Sequence, residues 1–262
     1  MSRWEGHEFT PAGGTRMHAA VHGPQRAPTV VCVHGLACSH RYYLPLAERL
    51  APAYRTVAPD LPGFGWSRAG PDAPDVRTMS TALAAWLRAT GRGGATLVGD
   101  STGCQAIVDL AVVAPDLLGP VVLAGPTFDR RHRSVPAQAL RLLANGWVDR
   151  TGAGLLPIRL RDRYDAGLRR WLATFLACLP DPVERKIGRI STPAVVVRGS
   201  RDPLVPTAWA QELVGLLPHG RLAEVPGTGH TVNFAAPDEL ARVVAGISAA
   251  ARHQAGHRPT GT

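Results

Sequence analysis

The sequence lacks any long apolar run. No stretch of about 18 uncharged apolar residues occurs, which argues against a transmembrane helix. The first residues, MSRWEGHEFTPAGG, lack the apolar core of a secretory signal peptide. We therefore predict a cytoplasmic protein that does not span a membrane.

Cysteine is also sparse. The four cysteines (Cys32, Cys38, Cys104 and Cys178) show no CxxC or other metal-ligating spacing. Such a set is typical of reduced thiols in a cytoplasmic protein. The cysteines therefore predict neither a disulfide framework nor a metal site.

Lysine is nearly absent, because Lys186 is the single lysine among 29 basic side chains. The formal net charge is +9, and residues 126–190 carry +7 of it, with 13 basic and six acidic side chains. Clustered arginines suit carboxylates and phosphates, although a solvated helix face in an arginine-rich proteome is the alternative. No recognition motif accompanies them, so we predict no nucleic-acid binding.

The 262 residues are enough for one large α/β domain. Short β-branched runs alternate with longer helical stretches, and the runs are apolar almost throughout, as in parallel strands covered on both faces. Strands are predicted at 29–35, 54–63, 95–100, 119–125, 193–200 and 220–227. Helices are predicted at 42–51, 78–90, 102–114, 207–217 and 237–250.

Three segments depart from this alternation. Residues 8–23 are predicted to form two strands joined at Gly13–Gly14, as an antiparallel edge. Between the fourth and fifth buried runs only helical, arginine- and leucine-rich patches occur, which predicts a helical insertion. The predicted organisation is a core of residues 1–125 and 191–251, an inserted segment of residues 126–190, and a disordered tail of residues 252–262.

The stretch LVGDSTGCQ (97–105) sets Ser101 between two glycines, where a buried strand ends and a helix begins. A G-x-S-x-G pentapeptide in that context describes a nucleophile elbow. The glycines permit a turn too tight for side chains on either flank. Ser101 is then raised above the sheet at the positive end of the next helix.

A serine hydroxyl needs a base to become a useful nucleophile, and the base needs an orienting acid. His230 lies in VPGTGHTVN, just after the sixth buried run and before the last helix. Asp202 lies in a turn directly after the fifth, and Asp129, after the fourth, is the alternative acid. The order Ser101, Asp202, His230 is the chain order of this catalytic arrangement.

Acyl transfer also needs hydrogen-bond donors for a developing oxyanion. The backbone N–H of Thr102 follows the nucleophile at the start of a helix. A second donor is expected from the loop VHGLACSH, where the N–H of Leu36 would point at the substrate oxygen. His34 in this loop is interpreted as a structural residue of the turn.

The sequence resembles the α/β-hydrolase superfamily, through VHGLA, PDLPGFGWS, LVGDSTGCQ, VVVRGSRDPLVP and VPGTGHTVNFAAPDEL. The resemblance covers about residues 20–250 apart from the insertion. It implies an α/β-hydrolase fold: a mostly parallel eight-stranded sheet, helices on both faces and an inserted helical cap. It also implies Ser101 as nucleophile, His230 as base, Asp202 as its orienter, and Leu36 and Thr102 as oxyanion donors.

The resemblance is greatest to the capped branch of esterases, carbon–carbon bond hydrolases and haloperoxidases. Two differences from relatives in the superfamily narrow the activities that the resemblance implies. Dehalogenases and epoxide hydrolases of the family carry a nucleophilic aspartate where this chain has Ser101, so both activities are disfavoured. The elbow reads DSTG instead of NSMG or HSMG, which puts Asp100 beside the nucleophile. This carboxylate either disturbs the imidazolium charge or bonds to the backbone.

We therefore predict a serine hydrolase of a carboxylic ester or thioester, working through an acyl-enzyme and requiring no metal or organic cofactor. The basic cap favours a small anionic substrate or an acyl group on a carrier. Aromatic side chains expected at the pocket are Tyr42, Phe64, Trp66, Trp147 and Trp171. Alternatives are hydrolysis of a carbon–carbon bond in a diketone-like acid, a lyase or cyclase, or a receptor on the same fold.

Overall fold

An eight-stranded sheet runs through the molecule and carries helices on both faces. The structure is a computed structural model and describes residues 3–36, 38–68, 70, 72–149 and 152–256. The strands are β1 (Gly6–Ala12), β2 (Thr15–His22), β3 (Thr29–Val33), β4 (Arg55–Pro59), β5 (Thr96–Asp100), β6 (Val121–Ala124), β7 (Ala194–Gly199) and β8 (Gly220–Val225). The helices are α1 (Leu44–Leu50), α2 (Val76–Ala89), α3 (Thr102–Val113), α4 (Val135–Val148), α5 (Gly152–Ala166), α6 (Leu168–Cys178), α7 (Val183–Lys186), α8 (Thr207–Leu216), α9 (Val232–Ala235) and α10 (Pro237–Gly256).

The strand order is β1-β2-β4-β3-β5-β6-β7-β8. The pairs from β4 through β8 are parallel, whereas β1 pairs antiparallel with β2 and β2 antiparallel with β4. The carboxyl ends of β3 and β5 to β8 therefore meet at one edge of the sheet. The predicted fold, a mostly parallel eight-stranded α/β sheet, is confirmed.

The predicted N-terminal hairpin forms the antiparallel edge of this sheet. Ala12 pairs with Thr15, so the turn consists of two residues. These are Gly13 at φ 58° and Gly14 at φ 74°. Two residues with positive φ make the turn whose twist matches that of the flanking strands.

The apolar core lies in two layers, one on each face of the sheet. In β3, Val31 and Val33 face the layer formed with α2, α3 and α8, whereas Val30 and Cys32 face the layer formed with α1 and α10. This alternation follows from the two-residue period of a strand. Because both faces are covered, β3 is apolar from Val30 to Val33, as the sequence pattern predicts.

Helix α3 approaches the sheet very closely at its first turn. A Cβ added to Gly103 would lie 2.2 Å from the carbonyl oxygen of Val33 at the end of β3. A Cβ on Gly99 would lie 2.9 Å from the backbone nitrogen of Cys104. Only hydrogen fits at either position, which is why the two glycines flank Ser101.

The described chain between β6 and β7 contains four helices, α4 to α7, and no strand. We call residues 126–190 the insertion, with the bounds predicted above. Asp162 of α5 accepts a hydrogen bond from Ser39 Oγ at 2.8 Å and pairs with Arg41, which also lies 2.9 Å from Asp165. The insertion is thus attached to the segment that follows β3.

The last helix ends at Gly256, so its final five residues fall within the segment predicted to be disordered. The remainder of that segment, residues 257–262, lies outside the described residues. None of the described helices is long and apolar enough to cross a membrane.

The approach of α3 to β3 predicts a large difference between two glycine-to-alanine substitutions. Gly103→Ala should lower the free energy of unfolding by about 1–3 kcal/mol or more, because a backbone carbonyl cannot move aside as a flexible side chain can. Gly246→Ala in α10, where an added Cβ meets no atom within 4 Å, should leave it unchanged or raise it by up to about 1 kcal/mol. Urea unfolding measures both; equal effects would contradict the close approach.

Candidate active site

Ser101 occupies a strained turn between β5 and α3. Its φ is 54° and its ψ is −118°, and it is the only non-glycine residue with positive φ in the described part of the chain. Its backbone N–H donates to the carbonyl of Ala124 at 2.9 Å, and its Oγ lies 3.4 Å from Oγ1 of Thr127. Strain of this kind persists where the surroundings enforce it and is common at nucleophile elbows.

His230 and Asp202 form a buried pair in the loops after β8 and β7. His230 Nδ1 lies 2.8 Å from Asp202 Oδ2. The other oxygen of Asp202 accepts hydrogen bonds from the N–H groups of Leu204 at 2.8 Å and Val205 at 3.2 Å. With Nδ1–H donated to Asp202, the lone pair of His230 is on Nε2.

The imidazole of His230 also packs against the backbone at the end of β6. A Cβ added to Gly125 would lie 2.8 Å from His230 Cε1, and Gly125 has φ 59°. The lack of a side chain at Gly125 therefore permits the positive φ of the turn and leaves room for the imidazole ring of His230.

Carboxylates surround His230 and change its proton affinity. Burial disfavours the imidazolium, but the carboxylates of Asp202, Asp100 and Asp149 outweigh burial and raise the pKa of His230 to about 9. Burial opposes the charge of Asp202 in the same way. The adjacent imidazole and the two backbone N–H donors nevertheless lower the pKa of Asp202.

Asp100, next to Ser101, is hydrogen-bonded to a side chain. Its Oδ2 accepts a hydrogen bond from Tyr42 Oη at 2.8 Å, and Tyr42 Oη accepts one from the Gly35 N–H at 3.0 Å. Its Oδ1 is buried and has no hydrogen-bond partner among the described residues. Burial raises the pKa of Asp100 to about 6, while His230, Tyr42 and Arg159 act in the opposite direction. In the described part of the chain the Asp100 carboxylate therefore accepts no hydrogen bond from the backbone, and its charge raises the pKa of His230.

Leu36 and Thr102 border the same cavity as Ser101. Neither N–H donates a hydrogen bond to another residue in the described ranges. Both are thus available to a ligand oxygen. His34, interpreted as structural, is buried: its Nε2 accepts from the Leu61 N–H at 2.9 Å, and its Nδ1 lies 2.8 Å from the carbonyl of Gly35.

The insertion holds the His230 loop through contacts that the sequence analysis missed. Asn145 Oδ1 accepts from the His230 N–H at 3.3 Å, and Asn145 Nδ2 donates to Asp149 Oδ2 at 2.9 Å. Thr231 Oγ1 donates to the same Asp149 oxygen at 3.0 Å. The one available signal was an Asn and an Asp four residues apart in the predicted insertion, a pattern too common to identify a site.

A cavity of about 340 Å³ opens at Ser101 and His230. The insertion contributes apolar walls, among them Phe128, and Leu204 from the core completes them. The side chains contributed by the insertion helices include Leu142, Leu143, Trp171 and Phe175. A larger groove of about 820 Å³, between β8 and α10, contains neither Ser101 nor His230.

Two arginines of α5 border this mostly apolar cavity. Arg159 lies 3.5 Å from Asp149 Oδ2, so its charge is partly compensated. The guanidinium of Arg163 lies 5.6 Å from the centre of the Trp171 ring and has no carboxylate partner within the described ranges. The cavity therefore presents positive charge beside apolar surface.

Of the five aromatic residues predicted at the pocket, Trp171 alone borders this cavity. Tyr42 and Phe64 are buried in the core, where Tyr42 bonds Asp100 and Phe64 packs against His34. Trp66 is 44% exposed and lies over the rings of His7 and His18, and Trp147 is 71% exposed on α4. These residues lie near the motifs in the sequence, but that proximity does not fix the direction in which their side chains point.

A family model described as "Alpha/beta hydrolase family" matches residues 30–243. The chain belongs to this family. The predicted resemblance and the assignment of the chain as an α/β-hydrolase enzyme are thereby confirmed.

The curated relatives of this α/β hydrolase include several hydrolases. It is 24% identical to 2-(acetamidomethylene)succinate hydrolase from Mesorhizobium japonicum, covering 80% of this chain and 84% of that protein. It is 26% identical to pimeloyl-[acyl-carrier protein] methyl ester esterase from Xanthomonas campestris pv. campestris, covering 87% and 97%. The crystal structure of the enol-lactonase from Burkholderia xenovorans LB400 matches with a TM-score of 0.77 at 19% identity, covering 92% and 100%.

The pairing of His230 with Asp202 predicts a specific loss of proton affinity. Asp202→Asn should lower the pKa of His230 from about 9 by about one unit or more, because the attraction of the carboxylate is lost while burial remains. Asp129→Asn is the matched control: Asp129 is buried and accepts from the Arg131 N–H at 3.0 Å, away from His230. NMR titration of the imidazole measures both variants. A larger fall in the pKa of His230 in Asp129→Asn than in Asp202→Asn would identify Asp129 as the acid that orients His230.

Proposed function

We propose that this α/β hydrolase cleaves carboxylic esters or thioesters by nucleophilic catalysis at Ser101. The observation that supports the proposal is that Ser101, His230, Leu36 and Thr102 all border one cavity, and that the N–H groups of Leu36 and Thr102 donate to no other residue in the described ranges. Nucleophile, base and oxyanion donors are the components that acyl transfer requires. Asp202, hydrogen-bonded to His230, supplies the orienting acid.

In the proposed reaction, Ser101 Oγ attacks the carbonyl carbon while its proton passes to His230 Nε2. The negative charge on the carbonyl oxygen is stabilised by the N–H groups of Leu36 and Thr102. His230 then gives its proton to the leaving alcohol or thiol, which leaves an acyl group on Ser101. A water molecule, deprotonated by His230, attacks this acyl-enzyme and releases the carboxylic acid.

The protonation state of His230 determines when this chemistry is available. Its pKa of about 9 means that the neutral base becomes more abundant as pH rises through the neutral range. Once the proton is transferred, Asp202 and Asp100 stabilise the imidazolium. Asp100 thus lowers the fraction of His230 that is neutral at a given pH, while it makes the neutral imidazole a stronger base and stabilises the imidazolium.

The cavity favours a substrate that carries its own carboxylate. Its apolar walls suit a short acyl chain, and Arg163 has no carboxylate partner in the described part of the chain. A guanidinium binds carboxylate in a planar, two-point geometry. Two relatives are named for related chemistry: a succinate derivative in one case and a carrier-linked pimeloyl methyl ester in the other.

The insertion, residues 126–190, acts in this proposal as the cap that selects the substrate. It contributes both arginines as well as Trp171 and Phe175 to the cavity. An acidic acyl chain, free or attached to a carrier, would thread between these side chains to reach Ser101.

Ser101→Ala should lower turnover of simple esters and thioesters by at least about a thousandfold. A fluorophosphonate probe should label the wild type at Ser101, as located by peptide mass spectrometry, and label His230→Ala far more slowly. Thr127→Val is the matched control, because Thr127 Oγ1 is 3.4 Å from Ser101 Oγ and should not be the labelled atom. Turnover that survives Ser101→Ala would contradict the proposal. Binding of the probe without an adduct would favour a receptor or a non-hydrolytic enzyme.

Arg163→Met should raise KM for the half-ester of a dicarboxylic acid by about 10–100-fold, the value of a charge-assisted hydrogen bond. The neutral diester of the same acid should be affected little. Arg161→Met is the control, since Arg161 lies on the same helix but pairs with Asp165 at 3.0 Å, away from the cavity. Steady-state kinetics on both esters, with a vinylogous keto acid added to detect carbon–carbon hydrolysis, measures the difference. Equal increases in KM for the half-ester and the diester would contradict the proposal that Arg163 binds a carboxylate of the substrate.

A further inference from the structure

Three histidines from separate parts of the chain meet beside the N-terminal hairpin. His7 lies on β1, His18 on β2, and His40 in the short helical turn His40–Tyr43. In the antiparallel register Phe9 pairs with His18, so His7 and His18 are diagonal neighbours on one face. One ring nitrogen from each histidine lies within 4.8 Å of the other two.

A buried carboxylate orients two of these rings. Asp60, directly after β4, lies with Oδ2 2.7 Å from His18 Nδ1 and 2.9 Å from His40 Nδ1. Asp60 is itself fixed by the backbone N–H groups of His40 at 2.7 Å and Trp66 at 2.9 Å. Because both Nδ1 atoms face the carboxylate, the Nε2 atoms of His18 and His40 are the ring nitrogens left to bind a metal. Histidines that ligate a metal are oriented by carboxylates in this way.

We propose that His7, His18 and His40 bind a divalent transition-metal ion of the zinc type, with water in the fourth position. Imidazole nitrogens suit Zn²⁺, Cu²⁺ and Ni²⁺, and three histidines with one open position are a known zinc arrangement. Zinc–nitrogen bonds of about 2.0–2.1 Å in a tetrahedron put the ligand nitrogens about 3.4 Å apart. The facing nitrogens of His7 and His18 are 2.9 Å apart, so small side-chain movements would accommodate the ion.

The proposed metal site is open to solvent at His7 and is covered by the ring of Trp66. His18 and His40 are buried, whereas His7 is exposed, so an ion would reach the site past His7. The Trp66 ring lies over the cluster, with its centre 4.7 Å from the rings of His7 and His18 and 5.2 Å from that of His40. This location gives Trp66, which was predicted at the pocket mouth, a different role.

The cluster is separate from the hydrolase site, since none of its histidines borders the cavity at Ser101. The bound ion would connect the edge hairpin β1–β2 to the turn that begins at His40. We therefore assign it a structural role, in which the metal stabilises the edge of the sheet and leaves acyl transfer unchanged. In the structure, His7 Nδ1 and His18 Nε2 lie within hydrogen-bonding distance of each other, at 2.9 Å.

The test uses the full-length, untagged, metal-stripped protein and titration with Co²⁺ and Zn²⁺. The wild type should bind one equivalent of Co²⁺ with the intense visible absorption of four-coordinate cobalt. Zn²⁺ should displace the cobalt and raise the melting temperature. His7→Ala should weaken binding by about 100-fold and abolish the thermal shift, because an exposed side chain on an edge strand is removed and the buried Asp60 network stays intact.

Two controls separate this site from adventitious binding. His132→Ala removes an exposed histidine outside the cluster, and a double variant of His253 and His257 removes two histidines spaced four apart near the chain's end. Both should bind the metal like the wild type. Absence of saturable binding to the wild type, or binding that survives His7→Ala but is lost in either control, would overturn the proposal.

Discussion

The contact of α3 with the end of β3 is the constraint on which the rest of the site depends. Gly103 brings the helix so close to the carbonyl of Val33 that the preceding turn must be very tight. Ser101 forms this tight turn with a φ of 54°. Because β3, β5, β6, β7 and β8 are parallel, the loops that follow them meet above this turn. Packing at the sheet thus determines where Ser101, Asp202 and His230 can lie.

Electrostatics adds a second constraint at the same edge. Asp100, Asp149 and Asp202 are buried close enough to His230 to raise its pKa, although burial alone would lower it. Arg159, 3.5 Å from Asp149, compensates part of this negative charge. The region around the imidazole is therefore suited to a positive charge on His230, which is the state that a proton transfer from Ser101 would create.

Local patterns predicted the sheet and the elbow because their causes are local. Apolar runs covered on both faces, a two-glycine hairpin and G-x-S-x-G each depend on neighbouring residues, and each appears in the structure as expected. The positions of Tyr42 and Trp66 were not predictable in this way. Their side chains are directed by Asp100 and by the histidines of β1 and β2, which are distant in sequence.

The insertion illustrates why such distant contacts matter for the chemistry. Asp162 attaches α5 to Ser39 after β3, and Asn145 attaches α4 to the backbone of His230. The helices that border the cavity, α4 and α5, therefore also hold the loop that contains His230 and the segment that contains Ser39. A displacement of α4 that widened the cavity would strain the hydrogen bond to His230. In the proposed mechanism the same helices select the substrate and align His230, so changes in the insertion should alter kcat as well as KM.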